Sequence, residues 1–220
     1  MKRITEEVFQ VGGGDLTSPE DAAVYLIRID GQAALVDAGC GRSTNRLFRH
    51  IAERGVTPDQ IGCLLITHCH YDHTGGAAAV RERTGCRIVA HALEAPYLEN
   101  GDNTVTAAAW YGARLDPLPV DRKIQGEEET ILLEGRPIRA IHVPGHSPGS
   151  LVYLLESEGQ KILFGQDVHG PLHPDLLSDP AAYRRSLERL AALEADILCE
   201  GHYGVFRGRN EVRDFIRSFL

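Results

Sequence analysis

The sequence predicts an α/β fold in which two mixed β-sheets pack face to face, with helices on their outer faces. Three observations lead there. Apolar runs of strand length alternate with helical stretches in both halves of the chain. A hairpin in the first half has an echo in the second: Tyr25-Leu26-Ile27, Gly31-Gln32 and Leu35 recur at a constant offset as Tyr153-Leu154-Leu155, Gly159-Gln160 and Leu163. Residues of metal-ligand type gather directly after apolar runs, where open α/β sheets place their sites. The 220 residues read as one domain, 1–220, with pseudo-duplicated halves of about 1–120 and 121–220.

The elements follow in order. Glu7 to Val11 reads as a first strand, followed by Gly12-Gly13-Gly14, expected to be a mobile loop because no Lys-Ser or Lys-Thr helix follows it. Ala23 to Ile29 and Ala33 to Asp37 form a hairpin through Asp30-Gly31. A helix over Arg42 to Arg54 presents Leu47, Phe48 and Ile51 as its apolar stripe and stops at Gly55. Ile61 to Ile66 is a buried strand, a helix runs from about Asp72 to Arg83, and Arg87 to His91 is the next strand. From 92 to 119 the pattern is poor, and short helices and loops over the site are expected. The second half restarts with strands over Thr130 to Leu133 and Ile138 to Val143, then a hairpin of Ser150 to Leu155 with Ile162 to Phe164. A helix from about Pro180 to Leu193 is capped by Ser178 or Asp179. Asp196 to Cys199 is a last strand, and Asn210 is expected to cap a closing helix.

Composition removes several classes of function. A net charge of -8, with arginines scattered among acidic residues, argues against a nucleic-acid surface. No apolar run reaches the length of a membrane span, and the start lacks an apolar signal region, so a cytoplasmic protein is expected. Cys40, Cys63, Cys69, Cys86 and Cys199 show no CxxC spacing, and reduced thiols are the simplest reading. Cys69 lies between two candidate ligands, but strand alternation turns it away, so it reads as packing.

The chemistry concentrates in Thr67-His68-Cys69-His70-Tyr71-Asp72-His73. His68 and His70 are two apart, so at an extended strand end their rings point the same way. Asp72 and His73 follow where the chain turns and can point elsewhere, so one segment can serve two metal ions about 3.5–4 Å apart. Imidazole with carboxylate suits zinc, iron or manganese. A chance cluster of surface histidines is the bland alternative, but a core histidine has no need of a second imidazole two residues away. Two metals need more ligands than four. His146 in Pro144-Gly145-His146-Ser147-Pro148-Gly149, Asp167 at a strand end and His202 in Gly201-His202 are the candidates, each after an apolar strand with glycine nearby.

This constellation resembles the metallo-β-lactamase-fold hydrolase superfamily, nearest to its hydroxyacylglutathione hydrolase-like branch. The HxHxDH run, the PGHSPG turn, Asp167 and Gly201-His202 agree with it in order and spacing across most of the chain. The resemblance implies an αββα sandwich with the site at one edge of the sheets. It implies that His68, His70 and His146 bind one metal, that Asp72, His73 and His202 bind the other, and that Asp167 bridges them. It gives Asp72 and Asp167 the catalytic carboxylates and Asp37 a supporting role behind the histidine loop. Two divalent metal ions, foremost zinc, with iron or manganese as options, are the implied cofactors. Gln166 stands where the family more often has glycine, which leaves the bridging ligand intact. The chain ends soon after His202, so the C-terminal helical domain of hydroxyacylglutathione hydrolases is expected to be missing or reduced, and the insert of the nuclease branch is absent.

The expected function is hydrolysis of a small thioester or ester-like molecule, anionic or carbonyl-containing, by a hydroxide shared between two metals. A mononuclear iron persulfide dioxygenase, held by His68, His146 and Asp167, is the alternative reading, and a lactonase or β-lactamase-like hydrolase the next. His169, His173 and Tyr203 are candidates to touch substrate or donate a proton, although an exposed loop histidine and a packed tyrosine are the plainer readings. His50, His91 and His142 read as structural. Neither nucleic acid nor membrane is an expected partner, and a homodimer is compatible with the reading.

Overall fold

Strand side chains alternate between two faces, and their burial sorts them into three apolar layers. These layers define the architecture of the computed structural model, which describes residues 1–220 apart from the side chain of Gln166. The departure noted at Gln166 therefore lies outside the described residues.

The first sheet takes β1 (Lys2–Arg3), β2 (Val8–Gly12), β3 (Val24–Ile29), β4 (Gln32–Val36), β5 (Ile61–Leu65), β6 (Arg87–His91) and β7 (Arg122–Ile124) in sequential order. The second takes β8 (Glu128–Leu133), β9 (Arg136–His142), β10 (Leu151–Ser157), β11 (Gln160–Gln166), β12 (Ile197–Glu200) and β13 (Val205–Arg207), again each beside the next. Both sheets are mixed: β4 to β7 are parallel in the first and β11 with β12 in the second. Tyr25, Ile27, Val36 and Leu65 meet Tyr153, Leu155, Phe164 and Ile197 in the layer between the sheets. Leu26, Leu35 and Leu64 face outward under α1 (Thr44–Ala52) and α3 (Ala77–Thr84). Leu154, Leu163 and Leu198 lie beneath α5 (Pro180–Ala192) and α6 (Arg209–Arg217). The result is the expected sandwich of two sheets between helical layers.

The two echoing hairpins have the same local cause. Asp30 and Gly31 take φ of 46° and 86°, and Glu158 and Gly159 take 53° and 72°. Two successive positive φ values make the turn whose twist suits a two-residue hairpin. The echoing tyrosines then exchange partners across the sandwich. Tyr25 Oη donates to the Glu200 carbonyl at 2.8 Å, and Tyr153 Oη donates to the Ile66 carbonyl at 2.7 Å. Each hydroxyl reaches from one sheet to the backbone beside a ligand loop of the other.

Several expectations change. The helix expected over 72–83 is broken into α2 (Tyr71–Thr74) and α3. Its break falls at Gly75-Gly76, which press on the loop after β4. A Cβ on Gly75 would sit 2.6 Å from the Cys40 carbonyl oxygen, and one on Gly76 2.4 Å from that of Ala38. Asn210 lies inside α6 and is not its cap; Gly208 takes the N-cap position at φ 96°. Gly12 ends β2, and Gly13-Gly14 open a turn closed on Thr17, whose Oγ1 accepts from the Gly13 N–H at 3.0 Å. The short edge strands β1, β7 and β13 carry no periodicity long enough to read. The cap at α5 is Asp179, which accepts from the N–H groups of Ala181 and Ala182 at 2.9 and 3.0 Å.

Tyr153→Phe leaves the buried Ile66 carbonyl without its partner and is expected to cost about 1–3 kcal/mol. Urea unfolding of the variant against the parent measures this, and an unchanged midpoint would show that the cross-sheet bond is dispensable.

Candidate metal centre

The loops after β5, β9, β11 and β12 converge at one edge of the sandwich, beside the turn after β4. They bring His68, His70, Asp72, His73, His146, Asp167 and His202 together. These form two groups. In the first, His146 Nε2 lies 3.2 Å from His68 Nε2 and 3.0 Å from His70 Nδ1. Asp167 Oδ2 faces it, 3.3 Å from His146 Nε2 and 3.8 Å from His68 Nε2. In the second, Asp72 Oδ2 is 3.6 Å from His73 Nε2 and 3.2 Å from His202 Nε2. Asp167 Oδ1 is 3.2 Å from both of those nitrogens. One carboxylate thus gives a separate oxygen to each group.

Three of the rings, those of His68, His73 and His146, are held from behind at the nitrogen that points away from the centre. Thr67 Oγ1 donates to Asp37 Oδ2 at 2.7 Å and is 3.0 Å from His68 Nδ1, so the Nδ1–H of His68 is engaged and its Nε2 presents a lone pair. His73 Nδ1 donates to the same Asp37 oxygen at 2.6 Å, and His146 Nδ1 donates to the Pro171 carbonyl at 2.9 Å. Asp37 sits fully buried in a left-handed conformation at φ 59°, just past β4, and also accepts from the Thr67 N–H at 2.9 Å. Burial raises its pKa against the pull of His73 and Thr67.

Burial and local charge set His68 and His70 apart from His73 and His202. Burial, then the neighbouring imidazoles, push His68 well below its ordinary range, and burial with His146 pushes His70 down to about 3. Burial also opposes charge on His73 and His202, but carboxylates outweigh it. Asp167, Asp72 and Asp37 hold His73 well above its ordinary value, and Asp167 with Asp72 raise His202 to about 10. Asp167 itself is lowered well below the carboxylate range, because His73, His146 and His202 outweigh its burial.

A cation fits this arrangement. Among the described residues, buried His73 Nε2 and Asp167 Oδ1 have no hydrogen-bond partner although they face each other. Three imidazole nitrogens in the first group converge with no room for three protons between them. Imidazole and carboxylate at such a site suit a divalent transition metal.

The other candidates are placed less centrally. His169 Nδ1 bonds Glu200 Oε1 at 2.7 Å, and a His169 ring nitrogen lies within 4.8 Å of ligand atoms of Asp167 and His202. His173 is exposed, its ring edge-on to Trp110 at 5.2 Å. Tyr203 is 62% exposed and packs on His169, so neither it nor His173 joins either group. His91 and His142 stack on each other at 4.0 Å, outside both groups. Cys69 is buried in the apolar layer beneath α3. Sequence reasoning missed Thr67, Glu200 and Tyr111. Buried Glu200 accepts from the N–H groups of His202 and Tyr203 at 2.7 and 2.8 Å, and the Tyr111 hydroxyl faces Asp72. Thr67 and Glu200 flank ligands in the chain, which is a usable signal; Tyr111 has none.

Residues 17–202 match the Metallo-beta-lactamase superfamily. The chain is 30% identical over 212 residues to the acyl-coenzyme A thioesterase MBLAC2 of Gallus gallus, covering 84% of this chain and 73% of that one. It is 30% identical over 182 residues to a hydroxyacylglutathione hydrolase of Aeromonas hydrophila, covering 81% and 59%. A probable metallo-hydrolase of Methanocaldococcus jannaschii is 32% identical over 133 residues, covering 60% of this chain and 62% of that relative's length. BJP-1, a subclass B3 metallo-β-lactamase of Bradyrhizobium japonicum, superposes with a TM-score of 0.81 at 23% identity over 99% of this chain and 89% of that one. The chain belongs to the metallo-β-lactamase superfamily. The chain spans about 62% of the length of the first relatives it matches, and its buried His/Asp clusters are consistent with metal binding. Among the described residues, no helix is long and apolar enough to cross a membrane.

Asp37→Asn leaves one acceptor oxygen where three bonds now end. Loss of such a supporting partner lowers metal affinity roughly 10–100-fold. Competition with a chromophoric chelator measures it, and parental affinity in the variant would refute the supporting role.

Proposed function

We propose that this chain is a dinuclear, zinc-dependent hydrolase of a small thioester or ester-like substrate. The observation that carries the reading is the division of Asp167, with Oδ2 toward His68 and His146 and Oδ1 toward His73 and His202. A single-ion site has no need of a second imidazole-carboxylate set on the far oxygen. His68, His70, His146 and Asp167 would hold one ion, and Asp72, His73, His202 and Asp167 the other. Zinc suits the nitrogen-rich first set.

When bound, two dications supply a water acidified to near neutrality and a Lewis acid for a carbonyl oxygen. The chain's own residues do the rest. Two carboxylates, Asp72 and Asp167, only half neutralise two dications, so the site stays cationic inside an acidic protein and favours an anionic or carbonyl-rich substrate. His202 has 32% of its side chain exposed, whereas His68 and His73 have 2% and 0%. Substrate therefore approaches on the His202 side, while the inner rings keep bulk water out. The Tyr111 hydroxyl lies beside Asp72 and is placed to hydrogen-bond that carboxylate.

Names of relatives support a thioester: an acyl-coenzyme A thioesterase and a hydroxyacylglutathione hydrolase are both similar over most of this chain. A cytoplasmic setting accords with five buried cysteines, all unpaired.

Acid release in a pH-stat tests the reading, with zinc-loaded protein against an acyl-coenzyme A, S-lactoylglutathione, a simple lactone and a β-lactam. Chelator-sensitive turnover of a thioester is the expected result. Turnover of the β-lactam or lactone alone would reassign the bond. Silence on all four, with oxygen uptake on glutathione persulfide by iron-loaded protein, would establish the mononuclear dioxygenase instead. His68→Ala and Asp167→Asn are each expected to lower turnover beyond the roughly 100-fold that loss of an outer supporting bond causes. Their circular dichroism should stay that of the parent, and full turnover in either variant would sink the site assignment.

A further inference from the structure

Glu94 is fully buried just after β6, at the N-cap position of α4 (Ala95–Asn100). Its carboxylate ends on no cation: among the described residues it forms no ion pair within the 4.0 Å limit for such contacts. It accepts instead from two ligand loops at once. Oε2 takes the N–H of Cys69, the residue between His68 and His70, at 2.7 Å. Oε1 takes the hydroxyl of Ser147, the residue after His146, at 2.9 Å, and the N–H of Gly149 at 2.6 Å. The approach is close enough to require glycine, because a Cβ on Gly149 would lie 2.8 Å from Glu94 Cγ and 2.9 Å from His91 Nδ1.

The loops so joined come from different sheets. Cys69 follows β5 of the first, and Ser147 lies between β9 and β10 of the second. Their histidines belong to the same group, His68 and His70 with His146. The Asp72, His73 and His202 group receives no bond from Glu94. Burying a carboxylate is costly unless its lone pairs are filled by donors, and here the donors belong to the two ligand loops.

We propose that Glu94 is a positioning residue for the metal site of His68, His70 and His146: it fixes the distance between the two loops that supply those three rings, and does not act on the other site. The inference rests on the reading that both groups bind metal. Charge-assisted bonds to backbone N–H groups are short and directional, so they set loop spacing more tightly than apolar packing can.

Stepwise cobalt(II) and zinc titration of full-length apoprotein, in competition with a chelator, tests this in Glu94→Gln and Ser147→Ala. Glutamine keeps the volume but turns an amide NH2 toward groups that themselves donate. A His202→Ala background assigns the steps, since it weakens only the other one. Glu94→Gln is expected to weaken the step of the three-histidine site roughly 10–100-fold and to change the visible d–d bands of cobalt there. The second step should stay within about twofold. Ser147→Ala, which removes one of the three bonds, should weaken the same step to a smaller extent.

A purely structural role would lower the melting temperature and leave the ratio of the two steps and the cobalt spectrum unchanged; that result would overturn the proposal. So would equal weakening of both steps. Should Glu94→Gln fail to fold, Ser147→Ala decides alone, and parental steps in it refute the proposal. Failure of the parent protein to bind a metal at the three-histidine group would instead refute the metal reading itself, so the two failures are distinct.

Discussion

The structure turns on one electrostatic constraint. A carboxylate and imidazoles that would all be charged or solvated in water are packed around a single point, Asp167, where water is largely excluded. Such a set is costly to bury unless opposite charges and fixed donors satisfy it. Around Asp167 the satisfaction is asymmetric. Burial disfavours charge on His68 and His70, whereas nearby carboxylates favour charge on His73 and His202.

Much of the rest follows as support for that point. Asp37 lies in a left-handed conformation in the turn after β4, and from there it fixes Thr67 and His73 together. Gly75 and Gly76 let α2 end where it does, so that Asp72 and His73 face back toward the sheet edge. The tyrosine exchange sets the register of one sheet on the other, and the ligand set, drawn from both sheets, is only as well placed as that register.

The sequence made the ligands legible because each obeys a local rule. His68 and His70 show strand alternation, and His146, Asp167 and His202 each stand after an apolar run with glycine near. Strands β3, β4, β9, β10 and β11 were readable because a short apolar run bounded by turn residues is a local signal. What was not readable depends on long-range contact. The break at Gly75-Gly76 is imposed by the carbonyls of Cys40 and Ala38, far away in sequence. The cap of α6 moved from Asn210 to Gly208 because the chain turns through a positive φ there. Glu94 and Tyr111 sit in a segment without periodicity, and their significance comes wholly from what they face.

Strand β4 runs from the Asp30-Gly31 turn toward Asp37, and β11 runs from the Glu158-Gly159 turn toward Asp167. The two tight turns therefore lie at the rim opposite the chemistry, a full strand length away. Each is solvent-facing and carries no ligand. Loop tips of that kind accept added chain readily. A reporter domain or an affinity tag grafted at either turn would be carried on the far rim, leaving the mouth beside His202 unobstructed.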